Sequence, residues 1–166
     1  NWAMLQMDKL TIKKESLDLR RIVDENFLLA SSMTSKSMNL VNDVDAGTMI
    51  FADANMFNLI IRNLIMNAIK FTEPGGQVRV SSESRGSDVI VMVEDTGVGI
   101  SPDVQKILMS KENSNYTTRG TMNEKGTGLG ISLCKEFIER NNGRIWLAST
   151  VDKGTTFFVS VPKLLK

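Results

Sequence analysis

The chain has 166 residues, 42% of them apolar, with 20 Lys and Arg against 19 Asp and Glu. This length suits one compact domain with a real core and is too short for two ordinary domains. The net charge of +1 gives no electrostatic footprint for nucleic acid. No apolar run approaches the ~20 residues of a membrane-spanning helix.

The chain contains no histidine and a single cysteine, Cys134. Ser-His-Asp and Cys-His catalysis within the chain are therefore excluded, as are His-based and four-thiolate zinc sites. One cysteine also excludes an internal disulfide and suits a reducing compartment. Carboxylates, amides, lysines and backbone groups must carry any chemistry, which favours phosphate handling.

Residue patterns in the first half of the chain predict alternating short strands and helices. The predicted elements, in order, are a weakly helical segment over 1–12, a strand over 14–18, an amphipathic helix over 19–35, strands over 38–41 and 48–51, and a helix from Asp53 to about Phe71. Asp53 is the expected N-cap of that last helix. Pro74, Gly75 and Gly76 then end it.

The second half predicts two hairpins separated by an irregular stretch and a helix. Strands over 77–83 and 88–94 flank a turn at 85–88, and the second strand, apolar on both faces, is expected to be central and covered on both sides. Residues 101–125 show helical periodicity only around 104–109 and are expected to be functional or mobile. A helix over 128–141 with Gly143 as its C-terminal glycine, then strands over 144–149 and 155–161, complete the order. It implies one sheet with helices on one face.

Asn63, Asn67 and Lys70 form the first group that could carry chemistry. At about 100° per residue, Asn67 lies about 40° and Lys70 about −20° from Asn63 on a helix. They line one stripe beside the apolar positions Phe57, Ile60, Leu64, Ala68 and Phe71. An amide oxygen can ligate Mg²⁺ and an ammonium can pair with phosphate, although a solvated polar face fits the same pattern.

Residues 94–100, with the sequence EDTGVGI, form the second group. An apolar strand ends in Asp95, which can accept a hydrogen bond from an exocyclic amine such as that of adenine. Gly97 and Gly99 would let the backbone approach a ligand closely. A strand followed by an ordinary tight turn fits the pattern as well.

Residues 124–131, with the sequence EKGTGLGI, form the third group and open a predicted helix. Backbone N–H groups at such a helix start bind anions, but a glycine-rich loop alone is a weak signal. The order differs from a P-loop because Lys125 precedes Gly126. The Gly-x-Gly-x-Gly spacing also differs from the dinucleotide fingerprint, and the His-Arg-Asp loop of eukaryotic-type kinases cannot exist here.

Together and in this order, the three groups resemble the catalytic and ATP-binding domain of sensor histidine kinases. The matching segments are 63–72 (NLIMNAIKFT), 95–100 (DTGVGI), 126–131 (GTGLGI), 143–146 (GRIW) and 154–157 (GTTF). The resemblance covers about residues 14–166. It implies the α+β Bergerat fold, a two-layer sandwich with a mixed, mostly antiparallel sheet of about five strands, three main helices on one face and a mobile ATP lid over about 101–125.

The resemblance also implies roles for individual residues. Asn67 would bind Mg²⁺, Asn63 and Lys70 would act with it at the metal–phosphate unit as the catalytic group, and Asp95 would read the adenine amino group of ATP. Further nucleotide contacts are implied for Phe71, Gly97, Val98, Gly99, Ile100, Tyr116, Arg119, Lys125, Gly126, Thr127, Gly128, Leu129, Gly130 and Thr156.

The family transfers a phosphoryl group to a histidine on a dimerisation hairpin, and this chain contains no histidine. Residues 1–12 resemble the end of that hairpin, so 13–166 would be the catalytic domain, monomeric by itself, within a homodimeric parent. The resemblance further implies that this domain is cytoplasmic, whether or not the parent protein is anchored in a membrane. It also implies a downstream partner, a response regulator receiver domain.

Three alternatives to phosphotransfer stay open at this point. The chain could hold a nucleotide and signal by conformation alone. It could hydrolyse ATP, as topoisomerase and chaperone relatives do, although Asn63 stands where they carry a general-base Glu and an amide cannot act as a base. It could also be an α/β domain without a nucleotide.

Overall fold

The computed structural model describes residues 11–110, 120–121 and 130–163, and most of the predicted helical segment over 1–12 lies outside them. The described elements are β1 (Lys14–Asp18), α1 (Leu19–Met33), β2 (Asn39–Asn42), β3 (Met49–Asp53), α2 (Ala54–Lys70), β4 (Gln77–Arg85), β5 (Asp88–Asp95), α3 (Pro102–Met109), α4 (Gly130–Arg140), β6 (Arg144–Thr150) and β7 (Gly154–Pro162). Within these ranges, no helix is long and apolar enough to cross a bilayer.

Five strands form the main sheet in the order β2-β4-β5-β7-β6. β2 and β4 are parallel, and the remaining neighbours are antiparallel. This confirms the predicted mixed, mostly antiparallel sheet and the central place of β5. β1 and β3 pair separately as a small antiparallel sheet, a pairing that the sequence did not predict because α1 and β2 separate the two strands.

One hydrophobic cluster joins α1, α2 and α4 to alternate residues of the main sheet. Val89, Val91 and Val93 of β5 belong to it, as the two-residue period of a strand requires. Ile90, on the other face of β5, is only 4% exposed but lies outside this cluster. Met92 beside it is half-buried, so the expectation of full cover on both faces is only partly right.

Helix α2 begins where the sequence predicts, at the N-cap Asp53. One carboxylate oxygen accepts a hydrogen bond from the Met56 amide (3.1 Å) and the other accepts one from the Lys13 amide (2.9 Å). The Asp53 amide in turn donates to Oδ1 of Asn141 (2.7 Å), which is fully buried at the end of α4. The start of α2 is thereby tied to β1 and to α4.

The end of α4 differs from the prediction at one residue. Asn142, not Gly143, adopts the left-handed conformation, with φ = 61°, which asparagine tolerates better than most residues. The Gly143 amide donates back to the Ile138 carbonyl (2.8 Å). Glycine is required at 143 for a different reason, because a Cβ there would clash with the Ser160 carbonyl.

The irregular stretch predicted over 101–125 contains a complete short helix, α3, instead of a single turn. Ser101 caps it by accepting a hydrogen bond from the Val104 amide (3.4 Å). No residue of α3 is fully buried, so its apolar pattern in the sequence is weak. Residues 111–119 and 122–125 of the predicted lid lie outside the described residues.

The substitution Asp53→Ala is expected to lower the free energy of unfolding by about 1–2 kcal/mol, because the buried Met56 amide and the part-buried Lys13 amide lose their acceptor. Urea unfolding measures the change. Asp45→Ala, at an exposed turn, is the control and should stay within about 0.5 kcal/mol of the parent chain. Equal losses in the two variants would contradict the capping role.

Candidate functional site

Helix α2 presents Asn63, Asn67 and Lys70 along one edge, as its apolar pattern predicts, while Ile60, Leu64 and Ala68 point into the core. Both asparagines are half-buried. The first residue of α4, Gly130, lies against them, since a Cβ there would be 3.8 Å from Asn63 Cγ and from Asn67 Nδ2. The structure therefore joins the two amides to the start of a helix.

Lys70 closes this stripe at the C-terminal end of α2. Its ammonium nitrogen lies 4.8 Å from the centroid of the Phe71 ring, a distance typical of a cation–π contact. Phe71 is the C-cap of α2 and its amide donates to the carbonyls of Asn67 and Ile69. The ammonium is thus held over the Phe71 ring, and Lys70 is half-exposed.

Cys134 lies one helical turn into α4 and is only 1% exposed. Burial raises the pKa of its thiol to about 12, against the opposing effect of a hydrogen bond with Asn63. The thiol is therefore protonated at neutral pH, which excludes nucleophilic chemistry. Cys134 is thus a packing residue of the core, and its contact helps to orient Asn63.

Asp95 ends β5 on the face that the helices cover, in line with Val91 and Val93. Its Oδ1 accepts hydrogen bonds from the amides of Gly97 (2.9 Å) and Thr155 (3.2 Å). Burial raises the pKa of this carboxyl to about 6, in opposition to those two bonds, and Glu94 adds a smaller upward shift. Among the described residues Oδ2 has no partner, so it can accept a hydrogen bond from a ligand.

The turn after β5 needs its glycines for contacts within the protein. A Cβ at Gly97 would clash with the Phe71 carbonyl and lie 2.9 Å from Thr72 Oγ1. Gly99 has φ = 73°, and a Cβ there would clash with the Thr150 carbonyl. The expectation that these glycines make room for a ligand is thus incomplete, because they first make room for neighbouring backbone.

Val98 lies between the two glycines of this turn, and Ile100 follows the second one. The Val98 amide donates to the Phe71 carbonyl (3.0 Å), and the Ile100 amide donates to Ser149 Oγ (2.8 Å). The turn is therefore fixed to the end of α2 on one side and to β6 on the other. Phe71 thus connects the turn after Asp95 to the helix that carries Asn63 and Asn67.

The Thr156 side chain lies on the opposite face of the sheet from that of Asp95. Thr156 pairs with Glu94 in the β5–β7 ladder, and successive side chains on a strand point to opposite faces. Thr155 pairs with Asp95 and donates the amide hydrogen bond described above. The period-two pattern of β7, with buried Phe157 and Val159 on the same face as Thr155, could have identified it from the sequence.

Seven other predicted site residues lie outside the described residues: Tyr116, Arg119, Lys125, Gly126, Thr127, Gly128 and Leu129.

The class of protein to which this fold belongs follows from comparison with known families. The family described as "Histidine kinase-, DNA gyrase B-, and HSP90-like ATPase" matches residues 52–165, and the chain belongs to this family. The adaptive-response sensory kinase SasA of Prochlorococcus marinus (strain MIT 9303) is 35% identical over 152 residues, which cover 89% of this chain and 40% of that protein. The sensor protein SrrB of Staphylococcus aureus is 27% identical over 98% of this chain and 28% of its own length.

Solved histidine kinase structures share the fold. The catalytic domain of ThkA superposes with a TM-score of 0.77 at 25% identity, covering 91% of this chain and 96% of that one. ThkA in complex with the response regulator protein TrrA gives 0.76 at 23% identity, over 98% of this chain and 46% of that one. Full-length ShkA in complex with AMPPNP gives 0.74 at 21% identity, over 93% of this chain and 32% of that one.

The Asp95 carboxyl provides a direct test of the site by carbon-13 NMR titration. We expect a midpoint near pH 6 in the free protein. Mg-ATP should lower it, because an amine donor stabilises the charged form. The raised pKa also means that Asp95 supports folding most below its ordinary value of 3.8, and that this contribution is lost as pH rises through about 6.

GTP is the matched control for this titration, because guanine presents a carbonyl where adenine has its amine. It should leave the midpoint of Asp95 near its value in the free protein. A midpoint that is unchanged by both nucleotides would show that Asp95 is a structural residue.

Proposed function

We propose that this chain binds Mg-ATP and donates its γ-phosphoryl group to a histidine on a separate dimerisation domain. The proposal is carried by Asp95, a buried carboxylate on the face that α2 covers, one oxygen of which has no partner among the described residues. The sensor kinase relatives and the AMPPNP complex of ShkA support it. The chain spans less than half the length of those relatives, so the parent protein's activity belongs to the proposal.

In the proposed complex, Asp95 Oδ2 accepts a hydrogen bond from the adenine amine. The Gly97 and Thr155 amides already fix the carboxylate through Oδ1, so the acceptor is oriented before the base arrives. A preoriented charged acceptor forms a stronger hydrogen bond than a neutral one. Discrimination against guanine follows, because two acceptors would then face each other.

The residues along α2 fit the phosphates and their metal ion. Asn67 would supply one amide oxygen to Mg²⁺, which prefers oxygen ligands and retains several waters. Asn63 and Lys70 would contact the same metal–phosphate unit, and the start of α4 at Gly130 would offer backbone N–H groups to phosphate oxygens. The ion, when bound, neutralises charge on the phosphates during transfer.

Asn63 favours transfer over hydrolysis. A hydrolysing ATPase needs a group that accepts a proton from water, and an amide at this position cannot do so. The contact with Cys134 also holds Asn63 toward α4. Water attack would therefore be slow, and the phosphoryl group would persist until a better nucleophile arrives.

The acceptor must lie outside this chain, which contains no histidine. In the proposed transfer, a neutral imidazole nitrogen forms a bond to the γ-phosphorus while the bond to the bridging oxygen breaks and ADP leaves. Residues 13–166 would form the catalytic domain on the cytoplasmic side of a homodimeric parent, and a response regulator receiver domain would take the phosphoryl group onward, as the complex of ThkA with TrrA supports.

The amide–metal contact can be tested by calorimetry with ATP in Mg²⁺ and in EDTA. Asn67→Ala is expected to weaken binding at least ten-fold (~1.4 kcal/mol) in Mg²⁺, with little change in EDTA. Asn55→Ala, at an exposed position near the start of α2, should bind like the parent chain. Equal ATP affinity in Mg²⁺ and EDTA before any substitution would contradict the metal role.

Transfer itself can be measured by mixing the chain with γ-labelled ATP and the parent protein's histidine-bearing hairpin. Label should appear on the hairpin and stay absent when the acceptor histidine is replaced with glutamine. ATP binding without transfer would instead favour a signalling module. Rapid ATP hydrolysis by the chain alone would favour a hydrolysing ATPase.

A further inference from the structure

Lys36 lies between α1 and β2, and it is only 7% exposed although it carries a charge. Its ammonium donates hydrogen bonds to the carbonyls of Ile69 (2.7 Å), Lys70 (3.0 Å) and Thr72 (3.0 Å). The last carbonyls of a helix have no partner within it and form the negative end of its dipole. Lys36 therefore caps α2 with a buried positive charge.

The same ammonium also bonds Thr121, far away in the sequence. Thr121 Oγ1 lies 2.7 Å from Lys36 Nζ and 3.2 Å from the Thr72 carbonyl, so the three N–H groups of the ammonium are shared among four oxygens. The Thr121 amide donates to the Lys70 carbonyl (3.0 Å). A residue of the segment predicted to form the lid is thus docked on the end of α2.

These contacts enclose Phe71, the residue that connects the two halves of the site. Lys36 bonds the two carbonyls that precede Phe71 and the one that follows it. The Phe71 carbonyl accepts the Val98 amide of the turn after Asp95. Any shift of the α2 end would therefore move Lys70 and the adenine side of the site together.

We propose that Lys36 is a positioning residue for nucleotide binding, which acts by locking Thr121 to the end of α2. The proposal rests on the proposed function, because residues that Lys36 positions are among those proposed to contact ATP. Lys36 does not contact the nucleotide itself. Its ammonium sets the relative positions of Lys70, Phe71 and Thr121, so that less order must be gained when ATP binds.

The variant Thr121→Val separates this role from simple capping. Valine keeps the shape of threonine and leaves the bonds from Lys36 to the backbone carbonyls intact. We expect Mg-ATP to bind about five-fold more weakly, with the urea midpoint unchanged within error. Thr48→Val is the matched control, since the Thr48 hydroxyl donates to the Asp45 carbonyl (2.8 Å) in an exposed turn; neither quantity should change.

Lys36→Met should weaken Mg-ATP binding at least ten-fold and also lower the urea midpoint. The double variant should bind no more weakly than Lys36→Met alone, because both substitutions break the same lock. Thr121→Val with the affinity of the parent chain, or fully additive losses in the double variant, would overturn the proposal.

Amide hydrogen exchange, measured by NMR without nucleotide, tests the lock independently of the proposed function. The Thr121 amide should exchange at least ten-fold faster in Lys36→Met than in the parent chain. An unchanged rate would overturn the lock even if ATP binds. If the parent chain binds no ATP but the Thr121 amide still exchanges faster in Lys36→Met, the proposed function is refuted and the lock between Lys36 and Thr121 is supported.

Discussion

Helix α2 is held at both ends by buried polar side chains, and the arrangement of the site depends on this constraint. Asp53 and Asn141 fix its first turn to β1 and α4, and Lys36 fixes its last carbonyls. Buried polar groups of this kind are expensive to leave without partners, so small displacements of the helix are penalised. The amide stripe lies on a helix that the protein's own contacts hold in place.

The second constraint is the burial of the Asp95 carboxyl at the end of the central strand. Its pKa is raised because burial destabilises the charged form more than the two amides bonded to Oδ1 stabilise it. Such uncompensated polarity is common where a ligand completes a hydrogen-bond set. Gly97 is required here because the backbone around Phe71 leaves no space for a Cβ, so the residue whose amide bonds Asp95 is also one that the packing demands.

The local features of the fold were predictable from the sequence. The Asp53 cap, the amide stripe and the central apolar strand all depend on residues a few positions apart, whose spacing determines which face they share. Contacts between distant residues were not predictable in this way. The β1–β3 pairing and the bond from Lys36 to Thr121 join residues separated by tens of positions, and Lys36 alone resembles any other polar residue in a loop.

The sequence by itself determined the family and excluded catalysis by histidine within the chain. The absence of histidine, the order of the three polar and glycine-rich groups, and Asn63 in place of a general base can all be read without coordinates. Only the tertiary structure decided that Asn142 takes the left-handed turn, and that a lysine caps α2. The physical reason is that local conformation follows from neighbouring residues, whereas burial and hydrogen-bond partners arise only when distant segments meet.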